Sequence, residues 1–165
     1  MEGNRAGYTA LAGEIMGAGT TTKSKAQIDE ATDFIGANLS TSADGVYGAS
    51  LKKHSDKLLE LMSDVLLNPS FPEAELEKAK KQTISGLQSS KTDPNSISSL
   101  ISSMSKYGKD HPYGENATEE TVSKVTRNDI VEYYNTFFKP NVAYLVVSHR
   151  IHKTFTEFTR LSQNS

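Results

Sequence analysis

Four histidines are the first candidates for chemistry in a chain of 165 residues that has no cysteine. Without thiolates, metal ligation falls to His, Asp and Glu. Zinc requires three or four donors converging on one point, and a helix supplies two of them when imidazoles stand at i and i+4. No histidine pair has that spacing. His54 follows Lys52 and Lys53 and reads as a solvated cap, while His111 precedes Pro112 in a loop. His149 and His152 are three apart, with Glu157 the nearest carboxylate that could join them, and read as a chance pairing in a tail.

Other reactive patterns fare no better. Serine is abundant, yet none sits in a G-x-S-x-G turn, and Ser85-Gly86 falls within a helical stripe rather than at a strand-to-helix elbow. Gly17-Ala18-Gly19-Thr20 follows a helix instead of introducing one, so its N–H groups are not aimed at a phosphate. Glu73, Glu75, Glu77 and the pair Glu119-Glu120 fall in first helical turns, where carboxylates offset the positive end of the helix dipole.

Composition narrows the class. Hydrophobic residues make up 36% and charged residues 23%, which fits one ordinary globular domain with a single core. A net charge of -2 provides no basic field, so no nucleic-acid partner is expected. No apolar run reaches the ~20 residues that span a bilayer, so no membrane insertion is expected. The opening MEGNRAG lacks the pattern of a signal peptide, and no strand precedes the first helix.

The elements that must position any site follow from periodicity. Tyr8, Leu11, Ala12, Ile15 and Met16 share one helical face, stopped by Gly17 and Gly19. Ser24 and Gln27 form a capping box for a second helix carrying Ile28, Ala31, Phe34 and Ile35, ending near Gly36. Residues 38–51 predict a hairpin turning at Asp44-Gly45. Ser55 is expected to cap a helix bearing Leu58, Leu59, Met62, Val65 and Leu66, and Asn68-Pro69 ends it. Ser70 and Glu73 predict a second capping box, before a stripe of Leu76, Ala79, Thr83, Ile84 and Leu87. Asp93-Pro94 opens a helix with Ile97, Leu100, Ile101, Met104 and Tyr107 on one face, closed by Gly108. Thr126 caps a last helix with Ile130, Tyr133, Tyr134, Phe137 and Phe138, and residues 142–148 read as an apolar strand for the middle of a sheet. The class is α+β, with helices on one face of a mostly antiparallel sheet.

This succession resembles the insulinase, pitrilysin and mitochondrial processing peptidase family of inverted-motif zinc metallopeptidases. The likeness covers residues 5–147. It is carried by Ala6-Gly7 and Gly19-Thr20 around the first helix, the stretch FIGANLSTSADGVYGASLKKHSDKLLELMSDVLLNPSFPEAELEK, Asp93-Pro94, and HPYG followed by FFKPNVAYLVV. Tyr113 in HPYG is expected to serve packing.

Active members of that family carry H-x-x-E-H on the first helix, two zinc-binding histidines and a general-base glutamate, with a glutamate ligand on a later helix. On this chain the motif falls on Ala10, Gly13 and Glu14; the later ligand falls on Gly86, and a further family glutamate on Ala79. The resemblance therefore implies a bacterial, motif-lacking type with no catalytic residue, no metal ligand set and no cofactor of its own, zinc being held only by an active partner. It implies an incomplete LuxS/metallohydrolase-like peptidase half-domain over residues 1–147, with residues 148–165 a disordered or foreign tail. The edge strand that receives substrate by strand addition falls on Asn38, Leu39, Ser40 and Thr41. The implied function is support of peptide binding by an active peptidase of the same family, or by the rest of a parent chain. The alternatives are a zinc endopeptidase with a displaced site and a purely structural assembly module. The resemblance favours the bacterial periplasm or envelope, and unpaired sheet edges imply association of the isolated chain.

Overall fold

The computed structural model describes residues 2–108, 111 and 113–148. His149, His152, Glu157 and all but the first residue of the expected tail lie outside the described residues. In chain order the elements are α1 (Tyr8–Met16), α2 (Lys25–Phe34), β1 (Asn38–Ser42), β2 (Gly45–Ala49), α3 (Ser55–Leu67), α4 (Glu73–Ser90), α5 (Pro94–Tyr107), α6 (Glu119–Lys124) and α7 (Arg127–Phe137). The α+β class holds, with helix dominant, and the sheet among the described residues is the antiparallel pair β1–β2.

The register pairs Leu39 with Gly48 and Thr41 with Val46, so these four share one face, and Asn38, Ser40 and Tyr47 point the other way. The first set is half-buried against α1 and α3; the second is exposed. A one-residue slip would turn Leu39 and Val46 to water, which fixes the register. The turn differs from expectation by one position: Ser42 pairs with Gly45, so the two loop residues are Ala43 and Asp44.

The main core is built by Leu11, Ile15 and Met16 of α1 with Ile28, Val65, Phe71, Leu76, Val122, Val125 and Ile130, each under 5% exposed. A smaller cluster of Ile35, Leu58 and Leu61 lies under the hairpin, with Leu39 packed against both. Burying such side chains contributes about 1.5–3 kcal/mol each. Phe34, expected on the buried stripe of α2, is 88% exposed, and Thr32 takes the inward place by donating to the Ile28 carbonyl at 2.7 Å.

Helix starts divide into two groups. The Ser24–Gln27 and Thr126–Asp129 boxes form, and Asp93 caps α5 with Pro94 in its first turn. Thr118 adds a box with Thr121 at α6. Ser55, in contrast, is the first helical residue of α3, and His54 stands at the cap position without a side-chain bond. The Ser70–Glu73 box also fails to form, because α4 begins at Glu73 after Pro72. The chain at 70–71 is engaged elsewhere: Arg127 donates from Nε to the Phe71 carbonyl at 2.7 Å and from a terminal nitrogen to the Ser70 carbonyl at 2.9 Å. Phe71 adopts φ 47°, the left-handed region that a bulky residue enters only under constraint. Its buried ring, edge-on to Tyr134 at 5.4 Å, and the Arg127 fork supply that constraint.

Two expectations for the second half are corrected. Residues 142–148 form no strand: a 3-10 turn occupies Pro140–Val142, and Tyr144 and Val146 are 92% and 87% exposed. An apolar run becomes a strand only beside a neighbour that accepts its ladder bonds, and among the described residues none does so. The apolar stripe of α5 forms as a helix face but is not buried; Ile101 is 61% exposed.

Asp64 on α3 ties the α1–α2 connection to the core. Its Oδ2 accepts from Thr22 Oγ1 at 2.8 Å, Thr20 Oγ1 at 2.9 Å and Lys23 Nζ at 3.1 Å, and its Oδ1 accepts from Asn68 at 3.2 Å. Burial alone would push this carboxyl up; the hydrogen bonds from Thr22, Thr20, Lys23 and Asn68 outweigh it and hold the group at about 2, below its ordinary 3.8.

A carboxyl held below its unfolded value stabilises the fold above that value and loses the contribution as pH falls through the folded one. Asp64→Asn is therefore expected to lower unfolding free energy at pH 7 by about 2 kcal/mol, with the difference from the parent closing between pH 4 and pH 2 in urea titrations. Arg127→Ala is expected to cost about 1–2 kcal/mol in the same measurement, and Arg127→Lys to recover only part, since an ammonium lacks the planar fork that spans two carbonyls.

Candidate functional site

A groove of about 640 Å³ opens between α1, α2 and the outer edge of β1. Its floor comes from α1 through Ala10, Glu14 and Gly17; one wall is Lys25, Ile28, Asp29, Thr32 and Asp33 of α2. The other wall is Ala37 and the four edge-strand residues Asn38, Leu39, Ser40 and Thr41. β1 has β2 on one side only, so its groove-facing edge carries no strand partner among the described residues. Residues named separately along the sequence, Ala10 and Glu14 on one hand and residues 38–41 on the other, thus meet at one cavity.

The other positions of the implied motif do not meet there. Ala79 is 2% exposed in the core beneath α1. Gly86 lies on the exposed side of α4, and an added Cβ there would have no atom within 4 Å. Gly13 is buried, and a Cβ on it would stand 2.3 Å from the Ala43 amide nitrogen and 2.3 Å from the Ser42 carbonyl carbon. Close passage of the hairpin backbone accounts for the glycine, at a helix-propensity cost of about 1 kcal/mol relative to Ala.

The zinc carried by active members of the resembled family does not fit these residues. Methyl, hydrogen and hydrogen replace an imidazole, a general base and a distal carboxylate, leaving the Glu14 carboxylate as sole donor among the motif's places. One monodentate oxygen neither closes a tetrahedral site nor holds a metal poised to activate water. Among the described residues no group of three or more His, Asp or Glu gathers in a way that could hold an ion.

The electrostatics of the groove were not legible from motif searching. Asp29 and Asp33 stand one turn apart on α2 and, with Glu14, bring three carboxylates to its lining against one lysine. Lys25 donates to Asp29 at 2.8 Å, whereas neither Glu14 nor Asp33 has an ion-pair partner among the described residues. The signal lay in the i, i+4, i+8 spacing of Lys25, Asp29 and Asp33 beside buried Ile28.

The remaining candidates are structural. Gly17 ends α1 and Thr20 bonds Asp64, so the glycine segment is a helix stop tied to α3. His111 accepts from the Tyr113 amide through Nδ1 at 3.2 Å and stacks on Tyr107 at 5.4 Å, while Tyr113 packs edge-on to Tyr107 at 5.5 Å. Tyr113 therefore has the expected packing role, on the surface rather than in the core.

Comparison with known proteins agrees with this architecture. A family model described as insulinase (peptidase family M16) matches residues 2–111. The uncharacterized zinc protease YmxG of Bacillus subtilis (strain 168) is 28% identical over 143 residues, covering 83% of this chain and 35% of that protein. Among solved structures, a peptidase M16 inactive domain from Pseudomonas fluorescens superposes with a TM-score of 0.69 at 22% identity, over 81% of this chain and 34% of that one. The periplasmic protease PqqL from Escherichia coli superposes with a TM-score of 0.63 at 20% identity, over 86% of this chain and 17% of that one. The chain spans about a third of the curated relative it matches. It belongs to the insulinase (peptidase M16) family and has that family's α+β peptidase-like domain.

Proposed function

We propose that this domain holds an extended peptide in the α1–α2–β1 groove without cleaving it. In this role it supports an active zinc peptidase of the same family, either a separate subunit or the remainder of a longer chain. The observation that carries the reading is the edge of β1, without a strand partner among the described residues, beside a cavity whose floor presents Ala10 and Glu14 but no ligand set. Main-chain N–H and C=O groups along such an edge supply affinity to an added strand, and the flanking pockets supply selectivity. Asn38, Leu39, Ser40 and Thr41 are the peptide-receiving residues of this proposal. No cofactor is assigned to the domain itself; zinc belongs to the active partner. The periplasm or cell envelope is the proposed location, supported by the likeness to a periplasmic protease.

The lining favours cationic peptides, since its carboxylates outnumber its single lysine. A hydrolytic role for this chain is disfavoured by the donor set, because water activation requires a metal held by several ligands. A structural assembly role is the second reading, supported by the exposed apolar face of α5 and by residues 143–147.

Fluorescence anisotropy with a labelled, extended ten-residue peptide tests the first reading. A Lys/Arg-rich peptide is expected to bind more tightly than an Asp/Glu-rich one, with the preference shrinking as salt rises. Ala10→Trp, which fills the floor from an exposed helix position, is expected to weaken binding at least tenfold, and unchanged affinity in that variant would refute the groove as the site. The second reading predicts association at micromolar concentration in size-exclusion chromatography with light scattering; Ile101→Lys should shift the distribution towards monomer.

A further inference from the structure

Gly13 has ordinary helical backbone geometry, so its lack of a side chain is not required by its conformation. It is required by space. A Cβ there would overlap the Ser42 carbonyl carbon and the Ala43 nitrogen, each at 2.3 Å, and approach Ser42 Cα at 2.8 Å. These are main-chain atoms of the hairpin turn, which cannot rotate away as the end of a long side chain does. The turn is also held from the other side: the Tyr133 hydroxyl donates to the Ala43 carbonyl at 3.0 Å, and the Tyr133 ring meets Tyr8 of α1 edge-on at 5.6 Å. One turn along the helix the same strand approaches again, with Thr41 Oγ1 2.7 Å from where a Gly17 Cβ would stand.

We propose that the backbone of the β1–β2 turn occupies the space a carboxylate at position 13 would need, so that the general-base place of the family motif is closed by main chain and not only vacated by substitution. Three of the other altered places, Ala79 in the core apart, are different in kind. Ala10 and Glu14 are exposed on the groove floor, and Gly86 has no atom within 4 Å of an added Cβ. Side chains can be exchanged at those positions without moving backbone, whereas any side chain at 13 must displace the hairpin. The inference concerns steric closure alone and stands whether or not the groove receives peptide.

Paired glycine substitutions test it, since Gly→Ala inside a helix brings the same intrinsic gain at both sites. Gly86→Ala is expected to leave the melting temperature unchanged or raised. Gly13→Ala is expected to lower it by roughly 5 °C or more and to speed amide hydrogen exchange in residues 42–45. The variant A10H/G13E/E14H/G86E is likewise expected to melt below A10H/E14H/G86E, which keeps Gly13. A Gly13→Ala protein that melts with the parent and protects residues 42–45 equally, or equal melting of the two multiple variants, overturns the proposal.

Discussion

The seating of a two-residue hairpin turn directly on α1 at Gly13 is the contact on which the rest of this domain is organised. A sheet of two strands has too little face to be stable alone. Here its inner face gains α1 through Gly13 and Gly17, and α3 through Gly48, where a Cβ would meet Met62 Sδ at 2.6 Å. Leu39 then joins the two hydrophobic clusters that α1 and α3 serve. The same approach leaves the outer edge of β1 along the groove, so the packing of the core and the shape of the candidate site have one origin.

Polar anchors hold the surrounding connections in place. Asp64 gathers the 20–23 segment and Asn68, and Arg127 spans two carbonyls beside Phe71. At the N-terminal end, the Arg5 guanidinium pairs with Asp129 at 2.5 Å while lying over the Tyr8 ring, and the Asp129 carboxyl also closes the α7 capping box. Burial opposes ionisation of Asp129, yet bonds from the Thr126 amide and hydroxyl and from Arg5 hold it below the usual carboxylate range. Each anchor joins residues more than forty positions apart in the chain, or caps the helix it helps to place.

Legibility followed the range of the interaction. Features fixed within one helical turn were readable: the Ser24–Gln27 and Thr126–Asp129 boxes, Asp93-Pro94, the face of α1 and that of α7 except for Phe137, which is exposed. The caps expected at Ser55 and Ser70 have the same local pattern, but a 3-10 turn over Lys52–His54 runs straight into α3 in the first case, and Arg127 holds the backbone in the second. The strand expected at 142–148 and the burial expected for α5 depended on neighbours that a hydrophobic pattern does not identify. At the candidate site, the altered motif places and edge residues 38–41 were visible from the family resemblance. The acidic character of the groove was not, because the carboxylates of α2 line a cavity only where that helix meets α1 and β1.

The outward face of β1 offers little relief. Asn38 and Ser40 are short and polar, and the large side chain that the hairpin places on that face, Tyr47, belongs to β2. An incoming strand would find no bulky knob there to fix where it starts, so alignments displaced by two residues would differ little in energy. For the proposed peptide-holding role, degenerate placement of this kind would multiply the bound microstates and favour tolerance of many sequences, leaving charge on α2 as the principal means of ranking them.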